Sequence, residues 1–149
     1  MGTCFICDKH ADLDHHAPGG AVIADDHVVV SHFPLMTPAG TQSETYLGYL
    51  FVEPRRHVGE LGELGAAEAA SLGRLTAAAS RALAAEGAEH VYAAVIGHGV
   101  DHLHLHLVPR YPRTPRDYCW TRVDEWPEAP RGDADSIAAF VAKLRGHLT

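Results

Sequence analysis

Cysteine is scarce, with three in 149 residues. Two of them, Cys4 and Cys7, stand only three positions apart, and such a set makes no disulfide framework. Clustered basic charge is scarcer still. Nothing longer than Arg55-Arg56 interrupts a chain whose formal charge is −7 with histidines neutral, which argues against binding nucleic acid over a broad surface. No apolar run approaches the roughly 20 residues that span a bilayer. Met-Gly-Thr-Cys opens the chain without the apolar stretch of a signal peptide. No membrane partner is expected, and the expected address is the cytoplasm. Internal repeats, linkers and low-complexity segments are lacking too. A hydrophobic content of 46% and a charged content of 21% are ordinary for a globular chain. The length suits one domain whose core needs no covalent staples.

Histidine, by contrast, is abundant: twelve in all, three of them in the run His102-Leu103-His104-Leu105-His106-Leu107-Val108. In a strand, side chains alternate between faces, so the three imidazoles share one face and the three leucines point the other way, into a core. At roughly 3.3 Å of rise per residue, neighbouring imidazoles sit about 6.6 Å apart. A helix would scatter them by about 200° for each two-residue step. Pro109, which ends a ladder, favours the strand. Three explanations compete for such a face. It is a surface strand in a histidine-rich chain, a metal site built on His-x-His, or a centre of covalent catalysis by histidine.

The rest of the chain reads as an α+β arrangement, a mainly antiparallel sheet packed with one long helix and a C-terminal helix. A polar, turn-rich stretch runs to Gly20. Strands are expected at 21–23 and 27–33 around a turn at Asp25-Asp26, then a loop over 34–43 and a strand over 46–53 ended by Pro54. From Ala66 to Glu86 the spacing of Leu72, Leu75, Ala79 and Leu83 predicts a helix stopped by Gly87. A strand follows at 91–97, then the histidine strand. Residues 110–132 carry prolines and both tryptophans without a period and read as an ordered loop. Ile137, Phe140, Val141, Leu144 and Leu148 mark a final helix capped by Asp133 or Asp135.

In this context the chain resembles the histidine triad (HIT) family, nucleotidyl hydrolases and transferases marked by His-φ-His-φ-His-φ-φ, where φ is apolar. Residues 102–108 satisfy every position. Cys4-x-x-Cys7, Val52-Glu53-Pro54-Arg55-Arg56-His57 and Pro109-Arg110 resemble bacterial, zinc-containing members, so the likeness covers about 1–112. The resemblance implies a single HIT-like domain over 1–149, with its core at about 1–112 and a C-terminal extension with a helix over 113–149. It implies a homodimer built by pairing long helices and edge strands. It also implies a mechanism. His104 attacks the α-phosphorus of a dinucleoside polyphosphate, nucleoside phosphoramidate or similar substrate, forming a nucleotidyl-imidazole that water hydrolyses. His106 binds phosphate oxygens or helps the leaving group depart, and no divalent metal is required for catalysis. Held by a backbone carbonyl, a neutral imidazole is a good nucleophile at pH 7.

The same resemblance assigns Cys4, Cys7, His57 and His102 to a closed, structural zinc, which makes His102 a ligand that orients the catalytic run. His10, His15, His16 and His98 are rival ligands on composition alone, and Cys119 reads as an ordinary thiol. Substrate contacts are expected from His98, Gly99, His106 and Trp120. Two departures from the family pattern stand out. Only Gly97, His98, Gly99, Val100 and Asp101 precede the triad, where many members have a longer loop with a Gln and a Ser or Thr at the phosphates. Val30-Ser31-His32-Phe33 stands where an acidic residue for the ribose hydroxyls is expected. Two further functions remain: a zinc-dependent hydrolase using His102 and His104 as ligands of a catalytic metal, with Asp101 pointing away from that face, and a non-catalytic nucleotide-binding module.

Overall fold

A computed structural model describes residues 3–97 and 99–148. Two short helices, Phe5–Ala11 (α1) and Leu13–His16 (α2), occupy the N-terminal stretch. Strands follow at Ala21–Ala24 (β1) and Val28–His32 (β2), where Asp25 closes the turn by accepting the His27 and Val28 amides at 2.8 and 2.9 Å. Two-residue strands Met36–Thr37 (β3), Gly40–Thr41 (β4) and Thr45–Tyr46 (β5) lead to Leu50–Pro54 (β6). A long helix Ala66–Ala85 (α3) precedes His90–Val95 (β7) and Leu105–Arg110 (β8), and Arg131–Gly132 (β9) precedes the helix Ala134–Gly146 (α4). Five strands form one antiparallel sheet in the order β1-β2-β6-β8-β7.

Alternation divides this sheet into two chemistries. Val28, Val30, Leu50, Val52 and Leu107 bury themselves with Leu72, Leu75, Ala79 and Leu83 of α3 and Ile137, Val141 and Leu144 of α4. Each buried leucine is worth about 1.5–3 kcal/mol on that face, so the helical stripe read from spacing is what docks α3. The helix stops where expected. Gly87 (φ 102) follows it, the Gly87 amide bonds Ala84 O and the Ala88 amide bonds Leu83 O, both at 3.1 Å, the pattern of a Schellman cap. Asp133 caps α4 by accepting the Ser136 amide at 2.9 Å. On the opposite face Glu53 and Phe51 meet Lys9 of α1, His106 packs against Phe51, and Val108 joins Tyr46, Val123, Trp126 and Ala129 in a second apolar cluster.

Four expectations change. The stretch before Gly20 is helical, because one helical turn joins Cys4 to Cys7 while Ile6 and Lys9 are buried. The 46–53 strand is two, β5 and β6, separated at Gly48, whose φ of 86° and a would-be Cβ only 2.5 Å from the Tyr111 hydroxyl admit no side chain. Pro109 lies inside β8 opposite Val91. Its carbonyl accepts the Tyr46 hydroxyl at 2.8 Å, so its backbone faces away from β7 and the missing N–H costs that ladder nothing. Finally, the segment after β8 holds a 3-10 turn at Trp120–Arg122 and strand β9, pinned by Val123 and Trp126 in the second cluster.

Candidate functional site

The ladder of β8 begins only at Leu105. Before it, the Leu103 amide bonds Val58 O at 2.6 Å, and the backbone around it presents His102 and His104 in different ways. A carbonyl only accepts, so a ring nitrogen facing one must carry the proton. His104 places Nδ1 2.7 Å from the His102 carbonyl. Its Nε2 is therefore the bare, nucleophilic nitrogen. Phe51 stands edge-on to both neighbouring rings, 5.4 Å from the centroid of His104 and 4.9 Å from that of His106.

His106 places Nδ1 2.7 Å from the Tyr49 hydroxyl, and its own Nε2 is buried without a partner among the described residues. Burial, then the neighbouring His104, pushes its pKa down to about 4, so the ring is neutral at pH 7. Burial, then Asp124, pushes Tyr49 up to about 12, so the phenol keeps its proton. Among the described residues the Tyr49 hydroxyl has no acceptor other than Nδ1, so it donates there and the single ring proton sits on Nε2. An orphaned N–H remains 5.0 Å, centroid to centroid, beside the His104 ring. A buried donor without a partner costs about 1–3 kcal/mol unless something accepts from it, and a phosphate oxygen between the two rings would.

His102 is turned the other way. Its Nε2 donates to the Pro54 carbonyl at 2.8 Å, and Nδ1 faces Cys4 Sγ at 3.4 Å and Cys7 Sγ at 3.5 Å. His57 Nδ1 lies 3.5 Å from Cys7 Sγ, and the four donor atoms all lie within 4.8 Å of one another. Zinc bonds of about 2.0 Å to nitrogen and 2.3 Å to sulfur, at tetrahedral angles, separate such donors by about 3.5 Å. The residues present therefore fit zinc. Burial and the adjoining Cys4 push the Cys7 thiol up, as expected for facing thiols that need a cation to ionise. The Pro54 carbonyl fixes the ligand tautomer of His102, as carbonyls behind metal-bound histidines do. His104 is not among the four. Of the rival imidazoles, His10 bonds Glu53 at 2.8 Å, and His15 and His16 pack against each other with centroids 4.8 Å apart.

One buried cluster carried no sequence expectation. Lys9 Nζ and Glu53 Oε1 lie 2.7 Å apart with both side chains fully buried, and His10 takes the other carboxylate oxygen. Burial alone would raise the Glu53 carboxyl, but the Lys9 ammonium and His10 outweigh it and hold it below the usual range. An acidic residue inside the apolar strand β6 is the signal that could have found this cluster, since a buried carboxylate needs a partner. His32 is equally enclosed. Its Nδ1 donates to Phe33 O at 3.0 Å and its Nε2 accepts the Gly48 amide at 2.9 Å.

Two clefts meet His104. One of about 390 Å³ is walled by Phe5, Ile6, Phe33 and Phe51. The other, of about 340 Å³, is lined by Glu60, Ile96 and Asp101. Gly99 lines the first of these. Asp101 does not point away from the histidine face, because residues 101–104 precede the ladder and do not alternate as a strand. Trp120 lines a separate recess of about 50 Å³ with Tyr49 and Asp124. His98 lies outside the described residues.

The HIT domain family model matches residues 22–113. No curated protein matches the chain. Among solved structures, a zinc-bound histidine triad family protein from Mycobacterium smegmatis is similar at 20% identity and a TM-score of 0.65, over 98% of this chain and 93% of that one. A histidine triad protein from Bradyrhizobium japonicum is 21% identical with a TM-score of 0.64, over 94% and 96%. A hypothetical histidine triad nucleotide-binding protein from Sulfolobus tokodaii is 15% identical with a TM-score of 0.64, over 97% and 91%. At these identities the likeness is one of fold: a mixed α+β arrangement with a five-stranded sheet, a long helix and a C-terminal helix.

Proposed function

Since the chain belongs to the HIT domain family, we propose that it is a nucleotide-phosphate hydrolase or nucleotidyltransferase in which His104 carries the nucleotidyl group covalently. Membership itself suggests a nucleotide-binding hydrolase or transferase. The finer reading rests on one observation, the His104 Nδ1 bond to the His102 carbonyl at 2.7 Å. That bond bares Nε2 toward the clefts and fixes the ring before substrate arrives. The Nε2 lone pair attacks the α-phosphorus in line, and the bond to the leaving group breaks with its electron pair. Water then attacks the phosphorus from the vacated side, the bond to Nε2 breaks, and the nucleoside monophosphate leaves. One difficult displacement becomes two easier ones. The Nε2–H of His106 donates to a phosphate oxygen, where negative charge gathers in both transition states. Gly99 lies on the substrate side, while His98 and Trp120 stay secondary candidates for substrate contact.

Cys4, Cys7, His57 and His102 would hold zinc, which when bound supplies a closed structural crosslink. These four residues tie α1 to the approach to β8 and set the carbonyl on which His104 leans. The zinc-dependent alternative needs His102 and His104 on one metal. It loses support because their free nitrogens belong to separate groups. The proposed unit is the whole of 1–149, paired as a homodimer through the edge strand β7 and α3. Among the described residues no helix is long and apolar enough to cross a membrane.

The test is capture of the adduct. Brief incubation with diadenosine tetraphosphate or an adenosine phosphoramidate, an acid-free quench and mass spectrometry should find a nucleotidyl group on His104, absent after His104→Ala. Turnover that survives His104→Ala would overturn the mechanism, and nucleotide affinity without adduct or turnover would leave the non-catalytic module in its place.

A further inference from the structure

The two residues enclosed by Cys4-x-x-Cys7 are Phe5 and Ile6, and both wall the cleft of about 390 Å³ that meets His104. The cysteines therefore share a helical turn with the cleft wall. They are also within reach of solvent. Cys4 and Cys7 are half-buried and His57 is exposed, and Cys4 and His57 line an adjoining cleft of about 380 Å³ with Phe5, Pro38 and Asp101. Buried structural cysteines are inert, whereas reactive ones are partly exposed. The pair is also placed to join. Cys4 is the N-cap of α1, its carbonyl accepting the Asp8 amide at 2.9 Å. One helical turn puts the two Cα atoms about 5 Å apart, within the range that a disulfide spans. Their sulfurs lie within 4.8 Å of each other.

We propose that Cys4 and Cys7 are a redox modification site as well as metal ligands: a hydroperoxide converts the zinc-bound thiolates to a Cys4–Cys7 disulfide, which releases zinc and loosens the support of His104. Both sulfurs touch that support. His102 Nδ1 faces Cys4 Sγ at 3.4 Å and Cys7 Sγ at 3.5 Å, and the His102 carbonyl holds His104 Nδ1 at 2.7 Å. One residue beyond each histidine ligand, the Leu103 amide bonds Val58 O at 2.6 Å. A disulfide takes both sulfurs from the imidazoles of His57 and His102, so this backbone link loses its clamp. Helix α1 keeps a second anchor, since Lys9 and His10 hold Glu53 at 2.7 and 2.8 Å without using either sulfur. The cysteines therefore stay beside their former partners, and reduction can restore the quartet.

Atoms and electrons balance with the peroxide as oxidant. The Cys4 thiolate, on the open cleft, attacks one peroxide oxygen and the O–O bond breaks. The departing oxygen takes a proton and leaves as an alcohol, or as water from hydrogen peroxide, and Cys4 becomes a sulfenic acid. The Cys7 thiolate attacks that sulfur, the S–O bond breaks, and hydroxide takes a proton and leaves as water. Two thiolates have given two electrons to the peroxide, and the zinc ion departs in its original oxidation state. A thiol reductant reverses the disulfide by exchange.

The test uses the zinc-loaded full chain carrying Cys119→Ser, because Cys119 is a third, exposed thiol. Hydrogen peroxide should release one zinc per chain to a colorimetric chelator that takes none before oxidation. Both thiols should disappear, and the peptide holding residues 4–7 should become two hydrogens lighter. Exchange of the Leu103 amide should quicken by about tenfold or more as the local opening energy falls. Nucleotidyl transfer to His104 should slow by about 10–100-fold, and dithiothreitol with zinc should restore every reading. In Cys7→His, which keeps four donors but lacks the second thiol, oxidation should stop at a sulfenic acid on Cys4 that dimedone traps. Three results would overturn the inference: zinc and both thiols that survive excess peroxide, oxidation that runs on to sulfinic acid with no disulfide, or zinc release that leaves Leu103 exchange unchanged. Only the transfer reading rests on the His104 mechanism above. A chain that forms no adduct on His104 loses that mechanism, while zinc, thiol and exchange readings still decide this one.

Discussion

His102 and His104 stand two residues apart, and the backbone turns them opposite ways round. His102 donates Nε2–H to Pro54 O at 2.8 Å and offers Nδ1 to two sulfurs, whereas His104 donates Nδ1–H to His102 O at 2.7 Å and offers Nε2 to a cleft. His32 serves as the reference for both. It is buried in β2, and both its nitrogens are occupied by backbone groups, Phe33 O at 3.0 Å and the Gly48 amide at 2.9 Å. Residue type alone therefore assigns no role to a histidine here. The assignment lies in which nitrogen a fixed carbonyl takes and in what the other nitrogen faces. That difference separates a closed, polar region tied to α1 from an open, reactive region over Phe51. The two should fail separately.

The widest separation comes from replacing one ring at a time. His104→Ala should lower kcat by at least about 10³-fold, the usual scale for loss of a covalent nucleophile, while each chain keeps its zinc and its thermal midpoint moves little. Inductively coupled plasma analysis beside single-turnover kinetics checks this. Loss of zinc in His104→Ala would show that the two regions are one.

Removing the metal attacks the comparison from the other end. Cys4→Ser, Cys7→Ser or a strong chelator should abolish zinc binding and lower the thermal midpoint by several degrees or more. Activity should fall less than in His104→Ala, by about 10–100-fold. The loss should appear in KM, because Phe5 and Ile6 of α1 wall the 390 Å³ cleft, and in kcat, because the carbonyl that fixes His104 belongs to the zinc ligand His102. A kcat collapse equal to that of His104→Ala would refute this division.

His32 sharpens the comparison in acid. Burial pushes its pKa down to about 4 from the ordinary 6.5 of a histidine. The unfolded chain therefore takes up the proton first as pH falls, and the folded ring resists it. The contribution is fully present above pH 6.5 and is lost progressively as pH falls to 4, with a slope of up to about 1.4 kcal/mol per pH unit and a total of about 3 kcal/mol. Urea unfolding of wild type and His32→Gln between pH 4 and 7 reads it directly. The variant's stability curve should be flatter across that window, and parallel curves would show that His32 does not resist protonation.

How much of this was written locally in the chain differs between the two regions. The α3 stripe, the Gly87 stop and the Asp133 cap were legible because each depends on residues within a turn or two. The zinc quartet was legible through its resemblance to a family, and the fold brings all four donors together. The start of β8 was not. Alternation predicts a strand from His102, but the Leu103 amide is taken by Val58 O and the ladder waits until Leu105. Lys9, His10 and Tyr49 were also out of reach. Their roles depend on partners such as Glu53 and His106, 43 to 57 positions away, and no local pattern encodes such a pairing. Glu53 alone gave a signal, a carboxylate inside an apolar strand.

Tyr49 supplies the finest division, one within the reactive region itself. Its hydroxyl hydrogen bond at 2.7 Å is the contact that keeps the His106 proton on Nε2. In Tyr49→Phe the ring loses the donor that selects its tautomer, and Nδ1 can take the proton. Nε2 would then face a phosphate oxygen as an acceptor facing an acceptor. One net hydrogen bond of about 1 kcal/mol corresponds to roughly a fivefold loss in kcat. The effect should fall on kcat and spare zinc content, because His106 works in the transition state and the metal ligands lie beyond His104. Nitrogen NMR of labelled histidine separates this from a change of shape. Wild-type His106 should report a protonated Nε2 at pH 7, and the variant a mixed or reversed tautomer. An unchanged tautomer together with a fivefold loss would mean that Tyr49 acts by packing against Phe51, whose ring centroid lies 5.8 Å away, and not by holding the proton in place.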